Sequence, residues 1–236
     1  MTGFVLAGGL GTRLRPRFGD LPKGLAPIGG RPFLARQLEW LAGHGVRRVV
    51  LCAGYGAEQV RATLGDGHDL KLQIEYSIEE TPLGTGGALH HARGRGAGPA
   101  LVLNGDTFTP CNPWALERDR WEHGAVGSVA LYRVEDASNR GRVECDAEGR
   151  VARFVEKDAA HRGPAWVNGG LYAFAPALWS RLAAVAAARG PVFSLERDVL
   201  PALAAEGALR GLPLEGEFYD IGTPEEWERA ERRLSA

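Results

Sequence analysis

The sequence predicts an α/β protein with a mixed, mostly parallel sheet and helices on both faces. In the first third of the chain, apolar runs of strand length alternate with amphipathic stretches. This β-α-β-α-β order gives parallel strands joined by right-handed crossovers. The 236 residues are 44% hydrophobic, which is enough to bury one sizeable core. We therefore expect a single domain over residues 1–236.

Composition excludes several classes of protein. The formal net charge is −1, so the chain has no overall basic field for binding nucleic acid. It contains no uninterrupted apolar run of membrane-spanning length and no basic segment ahead of an apolar one at its start. Cys52, Cys111 and Cys145 are odd in number and far apart, which favours neither a disulfide framework nor a zinc site. We expect a cytoplasmic protein with no nucleic-acid or membrane partner.

The first element is a buried strand that ends in a glycine-rich turn. The apolar run over residues 4–7 is followed by Gly8, Gly9 and Gly11, whose missing Cβ atoms would let backbone N–H groups approach a phosphate and let the chain turn at positive φ. Arg13 offers a fixed fork of donors, and Lys23 offers a point charge from what we expect to be a surface loop. The pattern predicts an anion-binding turn at the end of this strand.

Two familiar phosphate-binding motifs do not fit this turn. A dinucleotide fingerprint would need glycine where Leu14 stands, and no Walker A run is present. Taken alone, the three glycines favour a tight strand-to-loop turn with solvated arginines over an anion-binding turn.

The next elements follow from periodicity. We predict helices over 32–41 and 57–64, strands over 46–53 and 70–77, a loop over 82–87 and a helix over 88–93. A strand over 99–107 follows, and its Asp106 comes at the end where a parallel strand faces the ligand crevice. Two alternatives stay open on these patterns: the glycine-rich loop could be a flexible surface segment, and Asp106 could cap a turn.

The second half of the chain mixes hairpins and helices. We predict helices over 114–123, 175–188 and from a Ser194 cap to 205, and strands over 125–133, 141–146, 150–156, 166–174 and 209–214. Glu156, Lys157 and Asn168 would form a polar group at sheet edges, the alternative for the first two being a solvated pair. A final helix starts at Pro224 with Thr223 as its cap.

A second carboxylate, Asp220, also follows a predicted strand. Because strand ends of one parallel sheet meet at one edge, we expect Asp220 to lie near Asp106. Two bare carboxylates repel each other, which raises a pKa or calls for a cation between them. Mg²⁺ takes such oxygen ligands together with water and phosphate, so the pair predicts a magnesium site.

These motifs together resemble those of the sugar-phosphate nucleotidyltransferases. The resemblance runs from residue 4 to residue 227 and rests on A-G-G-L-G-T-R-L, L-P-K, P-L-G-T-G-G, N-G-D, E-K, N-G-G and D-I-G-T-P. It implies the Rossmann-like, GT-A-like fold of nucleotide-diphospho-sugar transferases, with a small sugar-binding lobe. We expect a nucleotide-binding part over about 1–110 and a sugar-phosphate-binding part over about 111–236. The sequence departs from the family at Gly24 and at residues 109–112.

The resemblance also assigns roles to residues. Arg13, Lys23 and Asp106 would be catalytic, and Asp106 and Asp220 would hold Mg²⁺. The nucleotide would be bound by Leu6, Ala7, Gly8, Gly9, Gly11, Thr12, Arg13, Glu79, Pro82, Gly84, Thr85 and Asn104. The sugar phosphate would be bound by Gly105, Glu156, Lys157, Asn168, Gly169 and Glu196.

The implied reaction joins a nucleoside triphosphate to a sugar 1-phosphate and releases pyrophosphate. Such chemistry depends on positioning and charge neutralisation rather than on a protein nucleophile. Within the family, S-I-E-E-T-P-L-G-T-G-G-A, N-G-D-T-F and F-Y-D-I-G-T-P are most similar to the branch that guanylylates D-glycero-α-D-manno-heptose 1-phosphate. Transfer from UTP or dTTP to glucose 1-phosphate or N-acetylmuramate 1-phosphate is the alternative reaction. A non-catalytic sensor of nucleotide sugars is the alternative of another class. The oligomeric state is not indicated.

Overall fold

The computed structural model describes residues 1–137, 141–155 and 162–235. Its strands are β1 (Thr2–Ala7), β2 (Pro27–Ile28), β3 (Arg31–Pro32), β4 (Arg48–Ala53), β5 (Gln73–Ile78), β6 (Ala100–Asn104), β7 (Thr107–Phe108), β8 (Gly127–Val134), β9 (Arg142–Cys145), β10 (Val151–Val155), β11 (Ala165–Phe174), β12 (Leu209–Leu214) and β13 (Tyr219–Asp220). Its α-helices are α1 (Arg15–Phe18), α2 (Phe33–Gly43), α3 (Ala57–Leu64), α4 (Gly84–His91), α5 (Pro113–Glu122), α6 (Ala177–Arg189), α7 (Leu200–Ala205) and α8 (Pro224–Leu234).

Within the described residues, nine strands form one mixed sheet that spans both halves of the chain. The order is β10-β9-β11-β6-β1-β4-β5, and β8 joins β11 to β12. Strands β6, β1, β4 and β5 are parallel, as the alternating pattern predicts, whereas β11 runs antiparallel to β6, β8 and β9. The predicted fold class, a mixed and mostly parallel sheet in an α/β protein, is confirmed.

Alternating side chains of the central strands bury both faces of the sheet. On β1, Phe4 packs into one apolar cluster with Leu89 and Leu178 from α4 and α6. The next residue, Val5, packs into a second cluster with Leu38 of α2. Helices therefore cover both faces, as predicted. None of the helices in the described part of the chain is long and apolar enough to cross a membrane.

A third, smaller cluster joins the two ends of the chain. Leu14 and Phe33 from the N-terminal part pack with Ile221 and with Trp227 of α8. The Trp227 Nε1–H donates to the Pro27 carbonyl over 3.0 Å, and the Arg17 guanidinium lies 4.3 Å above the Trp227 ring. The last helix begins as predicted, because Thr223 accepts a hydrogen bond from the Glu226 N–H and Pro224 opens the first turn.

Most predicted elements are present, and the differences have local causes. Helix α3 and strand β12 occupy the predicted residues 57–64 and 209–214. The strand predicted from residue 70 begins only at Gln73, because a 3₁₀ turn and Lys71 at φ +56° precede it. The helix predicted from the Ser194 cap starts with a π-helical segment over residues 195–199 before α7 begins.

Candidate active site

A cavity of about 280 Å³ lies at the carboxyl ends of β1 and β6, the edge at which parallel sheets bind ligands. Four segments contribute to its wall: the glycine turn after β1 (residues 8–11), the segment around Lys23, the glycine-rich segment after β5 (residues 82–88) and the N-G-D turn after β6 (residues 104–106). The lining residues are Leu6, Ala7, Gly8, Gly9, Leu10, Lys23, Gly24, Glu79, Pro82, Gly84, Thr85, Ala88, Asn104, Gly105 and Asp106. Segments distant in sequence thus meet in one cavity.

The glycine turn packs directly against Lys23. Gly11 has φ +60°, and a Cβ at that position would lie 2.9 Å from the Lys23 Cβ, so both the backbone conformation and the space require glycine. Thr12 and Arg13 form an exposed 3₁₀ turn beyond it and do not line the cavity, nor does Gly11. The predicted proximity of turn and lysine is therefore present, while the Arg13 guanidinium is not among the lining groups.

Lys23 is largely buried, so the expectation of a surface-loop lysine is wrong. Its side chain is 13% exposed, and Nζ donates to Asp106 Oδ2 over 2.7 Å. The departure at Gly24 has a packing reason, since a Cβ there would lie 2.5 Å from the Leu34 side chain of α2. A larger residue would push the Lys23 segment away from that helix.

Asp220 reaches Asp106 by a different route from the predicted one. It is not at the end of a strand of the main sheet but in the two-residue strand β13, which pairs antiparallel with β7 and places Asp220 opposite Thr107. The Ile221 N–H also donates to the Asp106 carbonyl over 2.9 Å. The two carboxylates therefore converge through a small separate ladder just beyond β6.

The surroundings of Asp220 disfavour its charged form. Burial, then the charges of Asp106 and Glu226, raise the pKa of Asp220 to about 6, while Lys23 and a hydrogen bond from the Gly222 N–H oppose that shift. A further cation beside Asp106 and Asp220 would therefore stabilise the charged form of both carboxylates. Among the described residues no group of three or more His, Cys, Asp or Glu side chains is arranged to hold a metal, so a metal here would take its other ligands from solvent or substrate.

At the other side of the cavity a carboxylate lies beside the glycine turn. Glu79 Oε2 accepts a hydrogen bond from the Leu83 N–H over 2.8 Å. Its Oε1 lies 2.7 Å from the point that a Cβ of Gly8 would occupy, so a side chain at Gly8 would displace it. Burial raises the pKa of Glu79, while the hydrogen bond from the Leu83 N–H and then the nearby His91 act in the opposite direction.

The glycine-rich segment is more ordered than predicted. Residues 84–87 were expected to form a loop, but they are the first turn of α4, because the Gly86 and Gly87 N–H groups donate to the Phe193 carbonyl over 3.1 Å. Thr85 Oγ1 also donates to Glu196 Oε2 over 2.5 Å. A segment more than 100 residues away thus fixes this wall of the cavity.

The residues expected to bind the sugar phosphate are only partly at the cavity. Gly105 lines it, but Asn168, Gly169 and Glu196 do not. Asn168 is on β11, which pairs with β8 and β9 as well as β6, so the expectation of a sheet edge is wrong for it. Glu156 and Lys157 lie outside the described residues.

The polar groups of this region bond to one another. Asn168 Nδ2 donates to the Tyr172 hydroxyl over 2.6 Å, and its Oδ1 accepts from the Gly170 N–H over 2.9 Å. Buried Thr109, part of the second departure from the family pattern, donates from Oγ1 to the Gly169 carbonyl over 2.6 Å. Thr109 therefore stabilises the backbone of β11 through this hydrogen bond.

The sequence patterns do not point to several residues of this region. Leu10, Gly24 and Ala88 line the cavity without a predicted role. Gln37, in α2, is fully buried beneath the N-G-D turn. The sequence could have indicated Gln37, because it is a polar residue on the otherwise apolar face of α2, with Phe33 at i−4 and Leu41 at i+4.

The fold and the cavity together define an α/β protein with a polar site at the carboxyl edge of a mostly parallel sheet. Residues 2–236 match the family model described as nucleotidyl transferase, and the chain belongs to that family. The family expected from the motifs is thereby confirmed.

Curated relatives include guanylyltransferases. The chain is 36% identical over 233 residues to mannose-1-phosphate guanylyltransferase of Mycobacterium tuberculosis, covering 98% of this chain and 63% of that protein. It is 34% identical over 231 residues to the catalytic subunit beta of mannose-1-phosphate guanylyltransferase of Xenopus tropicalis, covering 96% and 62%. The chain therefore spans less than two thirds of the length of these relatives.

Solved structures share the fold over the whole chain. HddC from Yersinia pseudotuberculosis, complexed with GMP-PN, is 30% identical with a TM-score of 0.81 and 99% of each chain covered. A putative glucose-1-phosphate thymidylyltransferase from Bacillus anthracis, in complex with a sucrose, has a TM-score of 0.86 at 22% identity, covering 100% of this chain and 95% of that one. The second likeness supports the fold alone.

Proposed function

We propose that this protein transfers GMP from GTP to a sugar 1-phosphate, forming a GDP-sugar and pyrophosphate. An oxygen of the sugar phosphate attacks the α-phosphorus, a new P–O bond forms, and the bond from the α-phosphorus to the bridging oxygen of the β-phosphate breaks. The family membership, the guanylyltransferase names of the relatives and the GMP-PN bound to HddC support this class of reaction.

The selectivity for guanine is assigned to the carboxylate of Glu79. It lies in the cavity wall, with one oxygen held by the Leu83 N–H and the other beside Gly8. Guanine offers two adjacent donors, N1–H and N2–H, that a carboxylate accepts together. Uracil and thymine offer one N–H flanked by two carbonyl oxygens, which a carboxylate repels. Glu79 therefore favours GTP over UTP or dTTP.

The opposite end of the cavity suits phosphates and a divalent cation. Asp106 and Asp220 supply hard oxygen ligands, and the raised pKa of Asp220 fits a site that gains from added positive charge. We assign Mg²⁺ to this pair, where it would neutralise charge on the triphosphate during transfer. Lys23 adds a fixed positive charge beside Asp106, and Arg13 would reach the phosphates from the exposed turn. No serine or cysteine nucleophile is required.

For the acceptor we propose D-glycero-α-D-manno-heptose 1-phosphate. The motifs over residues 77–88 and 218–224 support this choice, and the names of the curated relatives favour mannose 1-phosphate as the second candidate. Lys157, Glu156, Asn168, Gly169, Gly105 and Glu196 remain the proposed contacts to the sugar phosphate. The proposed division is a nucleotide-binding part over about 1–110 and a sugar-phosphate-binding part beyond it.

The decisive experiment measures pyrophosphate release with GTP, ITP, UTP, dTTP and ATP against heptose, mannose and glucose 1-phosphates. We expect GTP to be preferred, and ITP, which lacks the 2-amino donor, to fall between GTP and the pyrimidines. In Glu79→Gln the kcat/KM for GTP should drop by about tenfold or more. The amide replaces one acceptor oxygen by a donor, so it cannot accept hydrogen bonds from guanine N1–H and N2–H together.

Glu80→Gln is the matched control, since Glu80 is the adjacent residue and is exposed. It should keep the wild-type preference. A wild-type preference for UTP or dTTP would contradict the assignment to GTP while leaving the family intact. Absence of pyrophosphate release with every pair would instead favour a nucleotide-sugar sensor.

A further inference from the structure

Gln37 is a fully buried amide on a helix face that is otherwise apolar. It has no exposed surface, and Leu34, Leu38 and Leu41 of the same helix α2 are equally buried. Burying a polar side chain among apolar neighbours costs free energy unless its hydrogen bonds are made. The Gln37 Oε1 is buried and has no partner among the described residues. A glutamine is therefore an expensive choice for packing alone.

The two hydrogens of its amide are both used on one turn. Nε2 donates to the Asn104 carbonyl over 2.9 Å and to the Thr107 carbonyl over 2.6 Å. These carbonyls flank Gly105 and Asp106, at the point where β6 ends and β7 begins. One side chain thus ties together the two ends of the turn that presents Asp106 to the cavity.

Two other backbone groups of this turn bond to segments outside it. The Gly105 N–H donates to the Leu6 carbonyl over 2.9 Å, and the Asp106 carbonyl accepts from the Ile221 N–H over 2.9 Å. The Asn104 and Thr107 carbonyls, on the side facing α2, are held by Gln37. Because a buried carbonyl needs a partner, loss of the amide would let this side of the turn rearrange.

We infer that Gln37 is a positioning residue that sets the placement of both Asp106 and Asp220 through the Asn104 and Thr107 carbonyls. Asp106 is inside the clamped turn, and Asp220 lies opposite Thr107 across the β7–β13 ladder. A shift of the turn therefore moves the two carboxylates relative to each other. This inference rests on the proposed metal-dependent transfer, but cation binding tests it separately from turnover.

The test compares Gln37→Leu with Leu41→Ala in the full chain. Leucine has nearly the volume of glutamine and no donors, whereas Leu41→Ala removes a fully buried neighbour from the same helix. Five quantities are measured: kcat and KM for GTP, the Mg²⁺ concentration that gives half-maximal turnover, the binding of Mn²⁺ to substrate-free protein by electron paramagnetic resonance, and the unfolding temperature.

For Gln37→Leu we expect kcat per folded molecule to fall at least about tenfold, with the KM for GTP changed much less and Mn²⁺ bound several-fold more weakly. Its unfolding temperature should also fall, because the Asn104 and Thr107 carbonyls lose their donor. Leu41→Ala should lower the unfolding temperature at least as much but leave kcat and Mn²⁺ affinity unchanged. Wild-type kcat and Mn²⁺ affinity in Gln37→Leu, or equal losses in Leu41→Ala, would overturn the inference.

Gln37→Glu covers the case in which Gln37→Leu does not fold. A protonated carboxyl donates one hydrogen bond to the carbonyl pair, whereas the ionised form donates none. Relative to the wild type at the same pH, its kcat should therefore rise as the pH is lowered from 8 to 6, and a constant ratio would overturn the inference. If wild-type protein releases no pyrophosphate, the proposed function fails, and the Mn²⁺ titrations of wild type and variants alone decide the role of Gln37.

Discussion

The parallel and antiparallel parts of the sheet treat their polar side chains differently. The parallel strands β1 and β6 end at an open cavity where Glu79, Lys23 and Asp106 line the wall. Near the antiparallel strand β11, the side chains of Asn168 and Thr109 bond to neighbouring protein groups and do not line the cavity. Side chains that line the cavity are thus available to a ligand, whereas the polar side chains near β11 stabilise the fold.

Two aspartates make the strongest test of this comparison. Asp106 lies at the cavity, whereas Asp119 of α5 bonds to Arg210 Nε over 3.0 Å and to the Ser128 hydroxyl over 2.9 Å, with its side chain 12% exposed. Asp106→Asn should lower kcat by about a thousandfold, because it removes a proposed metal ligand. Its effect on stability should be small, because Asp106 is 41% exposed, its repulsion with Asp220 is relieved, and Asp220 remains as a counter-charge for Lys23. Turnover and thermal unfolding are measured on the same preparations.

Asp119→Asn should behave in the opposite way. It leaves Arg210 buried without its full counter-charge, so the free energy of unfolding should fall by about 3 kcal/mol while kcat per folded molecule is kept. A chelator should abolish wild-type turnover, and Mg²⁺ should restore it. Chelator-resistant turnover would contradict the proposed metal site, and equal losses of turnover in both variants would contradict the different roles of Asp106 and Asp119.

The next effect in size is expected at Lys23. Lys23→Ala removes a largely buried charge beside Asp106 and should lower kcat/KM for GTP by about a hundredfold. Lys71→Ala is the matched control, since Lys71 is exposed and lies away from the cavity. Near wild-type kcat/KM in folded Lys23→Ala would mean that the lysine only pairs with Asp106.

The smallest effect concerns the stability of the metal-free protein. The pKa of Asp220 is about 6 in the folded chain against an ordinary value of 3.8, so the folded protein keeps a proton that the unfolded chain has released at intermediate pH. Charged Asp220 thus lowers stability above about pH 6, and this cost fades as the pH falls.

Asp220→Asn removes that cost and keeps an oxygen for the Gly222 N–H. Without metal, the variant should unfold a few degrees higher than the wild type at pH 7.5, and the gap should narrow as the pH is lowered to 4.5. Thermal unfolding at several pH values checks it. A gap that does not depend on pH would show that the charge of Asp220 is not the cause.

The sequence alone determined the parts that depend on local pattern. Apolar runs of strand length gave β1, β4 and β6, helical periodicity gave α3, and the Thr223–Pro224 signal gave the start of α8. Glycines placed after a strand predicted the cavity wall, because strand ends of a parallel sheet meet at one edge whatever the rest of the chain does. The motifs also indicated the family.

Tertiary structure decided the parts that depend on contacts between distant segments. The turn over residues 84–87 is helical because the Phe193 carbonyl accepts its N–H groups, and nothing near those glycines signals it. Asp220 reaches Asp106 through the pairing of β13 with β7, more than 100 residues apart in the chain. Gln37 reaches the Asn104 and Thr107 carbonyls only because α2 packs beneath the N-G-D turn. Hydrophobic periodicity predicts which face of an element is buried, but not which backbone groups of other segments that face contacts. At this site, such contacts set the positions of the residues that line the cavity.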